Sequence, residues 1–236
     1  MMRTLIFILM TISFLAESPI RTLDVPKVSP EKFTLSIEEL KEGYNILFDG
    51  TNLDQWIGNT EDYHIEDGII VYSPNRNTKG SDRNIYTKKE YDNFIFRFEF
   101  MLTDGANNGL GIRTPLNCNA AYEGMEIQIL DDPASVYKDL DIHQYHGSIY
   151  GVIPAKRGYL KPVGMWNYQE VIAEGYNIKV ILNGTTILNG NIFDASRNGT
   201  MDKLDHPGLL NKSGHIGFLG HGSKVKFRNI RIKELK

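Results

Sequence analysis

Apolar and polar side chains alternate along most of this chain from Tyr63 onward, the period of a half-buried β-strand. The clearest run covers 94–102. Phe94, Phe96, Phe98, Phe100 and Leu102 share one face, and Ile95, Arg97, Glu99 and Met101 share the other. YHIE and IIVYS flank Asp67-Gly68, and YNIKVILNG meets TTILNGNIF at Asn183-Gly184; both dipeptides predict hairpin turns. NIYTKKEY, HIGFLGH and KVKFRNIRIKEL predict further strands. In the last of these Val225 and Phe227 share a parity while Ile230 and Ile232 share the opposite one, so a β-bulge is expected at Arg228-Asn229. Strands do not alternate with helices, and only FTLSIEELKEGY predicts a short helix or turn, from Ser36 to Lys41, with Ser36 as N-cap and Glu39 three residues on. The pattern predicts an all-β antiparallel sandwich in one domain.

The stretch from Asp104 to Asp132, DGANNGLGIRTPLNCNAAYEGMEIQILDD, reads as two strands joined by a polar loop. In the second strand Met125, Ile127 and Ile129 face a core, which turns Glu126 and Gln128 the other way. In the first, Arg113 leaves the core by the same parity, and Gly105, Ala106, Gly109 and Gly111 leave room for close approach to the backbone. An acid, an amide and a guanidinium on one strand face mark either a site or an ordinary solvated surface.

The chain has 236 residues, 41% hydrophobic and 11% aromatic, enough to build one sizeable core. Its net charge of −3, with no long basic run, argues against a nucleic-acid partner. Cys118 is the only cysteine, so an intrachain disulfide and a zinc site of paired thiolates are both excluded. No nearby base marks it as a nucleophile. Residues 1–18 carry Arg3 and then an apolar run to Ala16, the pattern of a secretory signal too short to be read as a spanning helix. Export to the periplasm or the medium follows as an expectation, with 19–42 as linker and short helix and 43–236 as the mature domain. The region 133–170, rich in Pro and aromatics, is expected to be a long loop folded over a site.

Several motifs occur in one order: LFDG (47–50) with LDQW (53–56), ANNGLGIR (106–113), YEGMEIQILDD (122–132), GSIYG (147–151), MWN (165–167), LNG (182–184) and KFRNIRIKEL (226–235). Together they resemble the 3-keto-disaccharide hydrolase family over about Tyr44 to Leu235. The resemblance implies a concanavalin A-like jelly roll, two curved antiparallel sheets with a sugar cleft on the concave face, and a bacterial role in sugar breakdown outside the cytoplasm. Two departures stand out. The family often has Asn-Ser-Gly where this chain has Asn107-Asn108-Gly109, and a Gly-Leu-Gln-type segment where it has Gly217-Phe218-Leu219.

Retaining glucanases on such a fold need two carboxylates on one strand face, about 5–5.5 Å apart. Here the positions after Glu126 are Gln128 and Leu130, so the pair is missing. A 3-keto sugar requires less, because its carbonyl acidifies the proton on C2 and one base can start an elimination of the C1 substituent. Glu126 is the expected base, or Asp131 if it turns inward; Arg113 is the expected oxyanion group and Gln128 a binder of sugar hydroxyls. Asn107, Asn108, Trp166, Asn167, His146 and His221 are candidate substrate contacts, and Tyr150 either donates a proton or packs. Trp56 is expected in the core, and Asp49 as a turn former. No cofactor is called for, although a divalent metal held among Glu126, Asp131, His143, His146 and His221 could replace Arg113 as electrophile. The non-enzymatic alternatives are a lectin-like carbohydrate-binding module and a protein-interaction sandwich.

Overall fold

A computed structural model of the protein describes residues 32–75 and 77–236. The expected signal segment and most of the expected linker lie outside them. Helix α1 spans Ile37–Glu42. The Ser36 hydroxyl accepts from the Glu39 N–H, and the Glu39 carboxylate accepts from the Ser36 N–H, closing a capping box. Gly43, at φ 86°, ends the helix in the left-handed region.

Thirteen strands follow among the described residues: β1 Asn45–Phe48, β2 Trp56–Gly58, β3 Tyr63–Glu66, β4 Ile69–Tyr72, β5 Ile85–Tyr91, β6 Phe94–Leu102, β7 Asn107–Thr114, β8 Met125–Leu130, β9 Trp166–Glu174, β10 Asn177–Leu182, β11 Thr185–Asn191, β12 Gly214–Gly220 and β13 Val225–Glu234. Short helices α2 (Ala120–Glu123) and α3 (Ile192–Ser196) lie between them. The strands form two antiparallel sheets packed as a sandwich. One has eight strands, ordered β11-β10-β9-β6-β13-β4-β3, with β1 pairing the second half of β13. The other has five, ordered β2-β5-β12-β7-β8.

The core is the set of inward phases of both sheets. Phe96, Phe98 and Phe100 alternate along β6 with half-buried residues between them, and Phe98 meets Phe218 of the other sheet at 5.5 Å between ring centroids. Phe218 in turn stacks on Phe227 at 3.8 Å. Trp56 is buried against Phe218 and donates its indole N–H to the Leu47 carbonyl, as its neighbourhood predicts. The bulge in β13 falls where the parity slip placed it, with Asn229 at φ 54°. Asp49 accepts from the Thr51 N–H and hydroxyl in its turn.

The outer face of the eight-stranded sheet is covered by charge pairing. Glu39 of α1 accepts from Arg97 at 3.0 Å and from Arg231 at 2.7 Å, while Arg97 also holds Glu170 and Arg228 holds Glu99. Helix α1 buries no apolar residue, so these ion pairs are what fasten it to the sheet. Among the described residues no helix is long and apolar enough to cross a membrane.

Candidate active site

The outer face of the five-stranded sheet is built differently. In β8 the even residues point outward, and the register sets Gly111 opposite Glu126 and Gly109 opposite Gln128. One strand further, Gly217 faces Gly111 and Leu219 faces Gly109. The space left by these glycines is taken by neighbouring side chains: Leu219 and Ala120 pack over Gly111, and the Tyr86 ring packs over Gly217. The Glu126 side chain lies over Gly109: a Cβ at that position would collide with Glu126 Oε1 and come within 2.7 Å of Cδ. Beside it the turn Gly80–Arg83 and helix α2 wall a cleft of about 430 Å³ lined by Glu126, Arg83, Asn84, Cys118, Leu219 and His221, among others.

Glu126 is only 6% exposed, and its Oε1 has no hydrogen-bond partner within the protein. Burial with no compensating charge pushes its pKa up to about 7. His221 is held below its ordinary value by burial and then by the Arg83 charge, which favours the neutral imidazole. Its backbone carbonyl accepts from the Tyr72 hydroxyl at 2.6 Å, fixing the segment to the opposite sheet. Arg83 is anchored by its Nε, which donates to the Thr78 carbonyl. The cleft therefore holds an unpaired carboxyl poised near neutrality, a guanidinium and a neutral imidazole. Cys118 donates its thiol to the Pro115 carbonyl, and burial raises its pKa to about 11, so the group in the cleft is a thiol and not a thiolate.

Of the residues expected from sequence, Glu126 and His221 come together in this cleft, and the others go elsewhere. Arg113 is 1% exposed and does not line it. Its guanidinium donates to the carbonyls of Asp92 and Gly175 and to Asn93 Oδ1, so it ties loops together and cannot serve as the oxyanion group beside Glu126. Its backbone sits at φ 50° where the β7–β12 register shifts, which takes it out of the simple alternation. Asp131 does not turn inward: it accepts from the Gly105 N–H and borders another hollow. Gln128 is buried, and its side-chain oxygen accepts from the adjacent Ile129 N–H. Asn108 faces the core and donates to the Tyr63 hydroxyl, and Asn107 stands opposite Leu130 outside the cleft lining.

Trp166 and Asn167 belong to β9 of the opposite sheet, not to the long loop. Arg228 lies over the Trp166 ring at 4.0 Å, and Asn167 Oδ1 accepts from Lys161 N–H and Asn183 Nδ2. His146 is sealed in the core on Phe100, where burial takes its pKa down to about 3. Tyr150 accepts from Gln144 Nε2 and lines, with His143, a separate hollow. The five candidate metal ligands are thus dispersed, and among the described residues no group of three or more His, Cys, Asp or Glu converges to hold an ion. The long loop does not close over Glu126. Instead Gln128 N–H donates to Ser148 O, and the N–H groups of Gly147 and Tyr150 donate to the carbonyls of Gln128 and Glu126, sealing the free edge of β8. Arg83 and Asn84, both in the cleft, carry no mark of it in sequence: Arg83 ends a polar loop without periodicity, and Asn84 opens the predicted strand NIYTKKEY.

Comparison with known proteins decides the family. Residues 43–233 match the model of the 3-keto-alpha-glucoside-1,2-lyase-like domain. The chain belongs to this family. A 3-keto-disaccharide hydrolase of Bacteroides thetaiotaomicron is 27% identical, over 82% of this chain and 79% of its own. Two crystal structures of candidate glycosyl hydrolases from Parabacteroides distasonis are also similar. One has a TM-score of 0.74 at 26% identity, covering 86% of this chain and 99% of that one; the other has 0.70 at 29%, covering 81% and 99%. The 3-keto-alpha-glucoside-1,2-lyase-like domain here begins just after α1, so the capping box precedes the family region, while Arg97 and Arg231, which pair with Glu39, lie within it.

Proposed function

We propose that this protein cleaves 3-keto-glycosides by elimination across C1 and C2, followed by addition of water. The observation that carries the reading is the single unpaired carboxyl of Glu126 in a sugar-sized cleft. Ordinary two-carboxylate hydrolysis lacks its second acid there, since Glu123, the other carboxylate of the lining, stands on α2 and not on the strand.

The ketone at C3 delocalises charge from C2, so a carboxylate with a pKa near neutrality is basic enough to take the C2 proton. The electron pair passes to the C3 oxygen as an enolate. Arg83 and His221 line the same cleft and supply positive charge and an N–H donor toward that oxygen. Collapse of the enolate breaks the C1–O bond, and the proton now on Glu126 is available to the departing oxygen. Water then adds to the unsaturated sugar. The Arg3-led apolar run at the start of the chain supports a place outside the cytoplasm.

The test is incubation of the purified protein with a 3-keto-glucoside and with its unoxidised parent, each with and without chelator. Release of free aglycone from the keto compound alone is expected. Cleavage of both substrates alike, or binding of the intact sugar without turnover, overturns the reading; loss of release with chelator would add a metal to it.

A further inference from the structure

A second hollow adjoins the Glu126 cleft. It measures about 480 Å³, and Ser81, Asn84 and Asn117 line both it and the first. Each volume alone falls in the range of about 300–1,000 Å³ usual for small-molecule sites. Asn84 forms the saddle between them and is immobilised: its Nδ2 donates to the Tyr86 hydroxyl at 2.8 Å and its Oδ1 accepts from Gly220 N–H at 3.0 Å. A buried, doubly bonded amide fixes the position of the boundary that the two hollows share.

The two sides differ in chemistry. Arg83 and His221 border the inner side. The outer side offers apolar surface from Ile57 and Leu116 and carries the exposed acids Glu61 and Asp82, with no Lys or Arg among the described residues of its lining. We propose that the outer hollow is the subsite for the leaving group, and that it selects a neutral sugar over an anionic one. The inference rests on the elimination reading above, because that reading places the reacting keto ring over Glu126. The apolar face of a pyranose packs on Ile57 and Leu116, while Glu61 and Asp82 accept from its hydroxyls and repel a carboxylate or phosphate. Contacts remote from the reacting carbon contribute binding energy that a glycoside with a small leaving group lacks.

Calorimetric titration of the full chain carrying Glu126→Gln, which slows turnover by orders of magnitude, tests this. The ligands are methyl 3-keto-α-glucoside, a neutral gluco-disaccharide oxidised at C3 of one ring, and the same keto ring joined to a uronic acid. The neutral disaccharide should bind at least ten times tighter than the methyl glycoside, and the uronic acid compound should lose that advantage. Adding Thr60→Trp, or separately Leu116→Trp, fills the outer hollow from an exposed turn and should weaken the disaccharide at least tenfold with the loss confined to that ligand. Equal affinity for the methyl glycoside and the disaccharide overturns the second subsite alone. Equal affinity for the neutral and anionic disaccharides overturns its charge selection. Failure of even the methyl 3-keto-glucoside to bind overturns the elimination reading and this inference with it.

Discussion

Glu39 and Glu126 stand on the outer faces of opposite sheets, and their surroundings are inverted. Burial would raise the Glu39 pKa, but the hydrogen bond and charge of Arg231, with the Ser36 N–H and Arg97, outweigh it and hold the carboxyl below its usual range. Glu126 has burial and nothing to oppose it, and rises to about 7. The arginines repeat the contrast. Arg113 is fully engaged with loop carbonyls, whereas Arg83 lines a solvent-connected cleft beside an imidazole. Charges satisfied within the protein fasten it together; charges left unsatisfied in a hollow are the ones free to act on a ligand.

The sharpest way to break this comparison is to neutralise each acid. Glu126→Gln is nearly isosteric and should lower kcat on a 3-keto-glucoside by about 10²–10⁴-fold, the usual contribution of a general base, with an unchanged circular dichroism spectrum. The same variant sharpens the comparison through stability. Folded Glu126 holds its proton to about pH 7 against an ordinary 4.5, so between these values the folded state binds more protons than the unfolded one. Stability contributed by that proton is complete below the unfolded pKa and is lost as pH rises through the folded one. Glu126→Gln should therefore exceed the parent in urea-unfolding free energy by up to about 3 kcal/mol at pH 8, with the gap closing toward pH 4.

Arg113→Met should do the reverse. Removing the donor strands the carbonyls of Asp92 and Gly175, and unfolding free energy should fall by about 2–3 kcal/mol with kcat preserved below the melting temperature. Glu39→Gln has the smallest expected effect. It loosens a half-buried ion-pair network and should cost about 1 kcal/mol, read as a small drop in melting temperature with no change in turnover.

Much of the framework was legible because it depends on local alternation and turn chemistry. The phenylalanine stripe of β6, the Asp67-Gly68 and Asn183-Gly184 hairpins, the capped helix at Ser36 and the bulge near Asn229 all follow from residues within a few positions of one another. Glu126 and Gln128 do point away from the core as their parity requires. What parity does not encode is which sheet a strand joins. Trp166 sits on a sound strand face, but that face belongs to the other sheet, where Arg228 covers it. Parity also fails where the backbone leaves β geometry, as at Arg113, and it assigns nothing to the 3-10 turn that delivers Arg83. The signal for that turn was present only as a missing partner: an acid at an outward strand position, with no cation on its own strand to face it.

The central claim is that Glu126 takes a proton from C2 of a 3-keto sugar. It is tested most directly by comparing kcat/KM for a 3-keto-glucoside with that for its C2-deuterated form, across pH. A primary isotope effect, with kcat/KM rising through an acid limb near pH 7 that Glu126→Gln removes, is the predicted result. Cleavage that is indifferent to deuterium at C2, or an acid limb that persists unchanged in the variant, would contradict it.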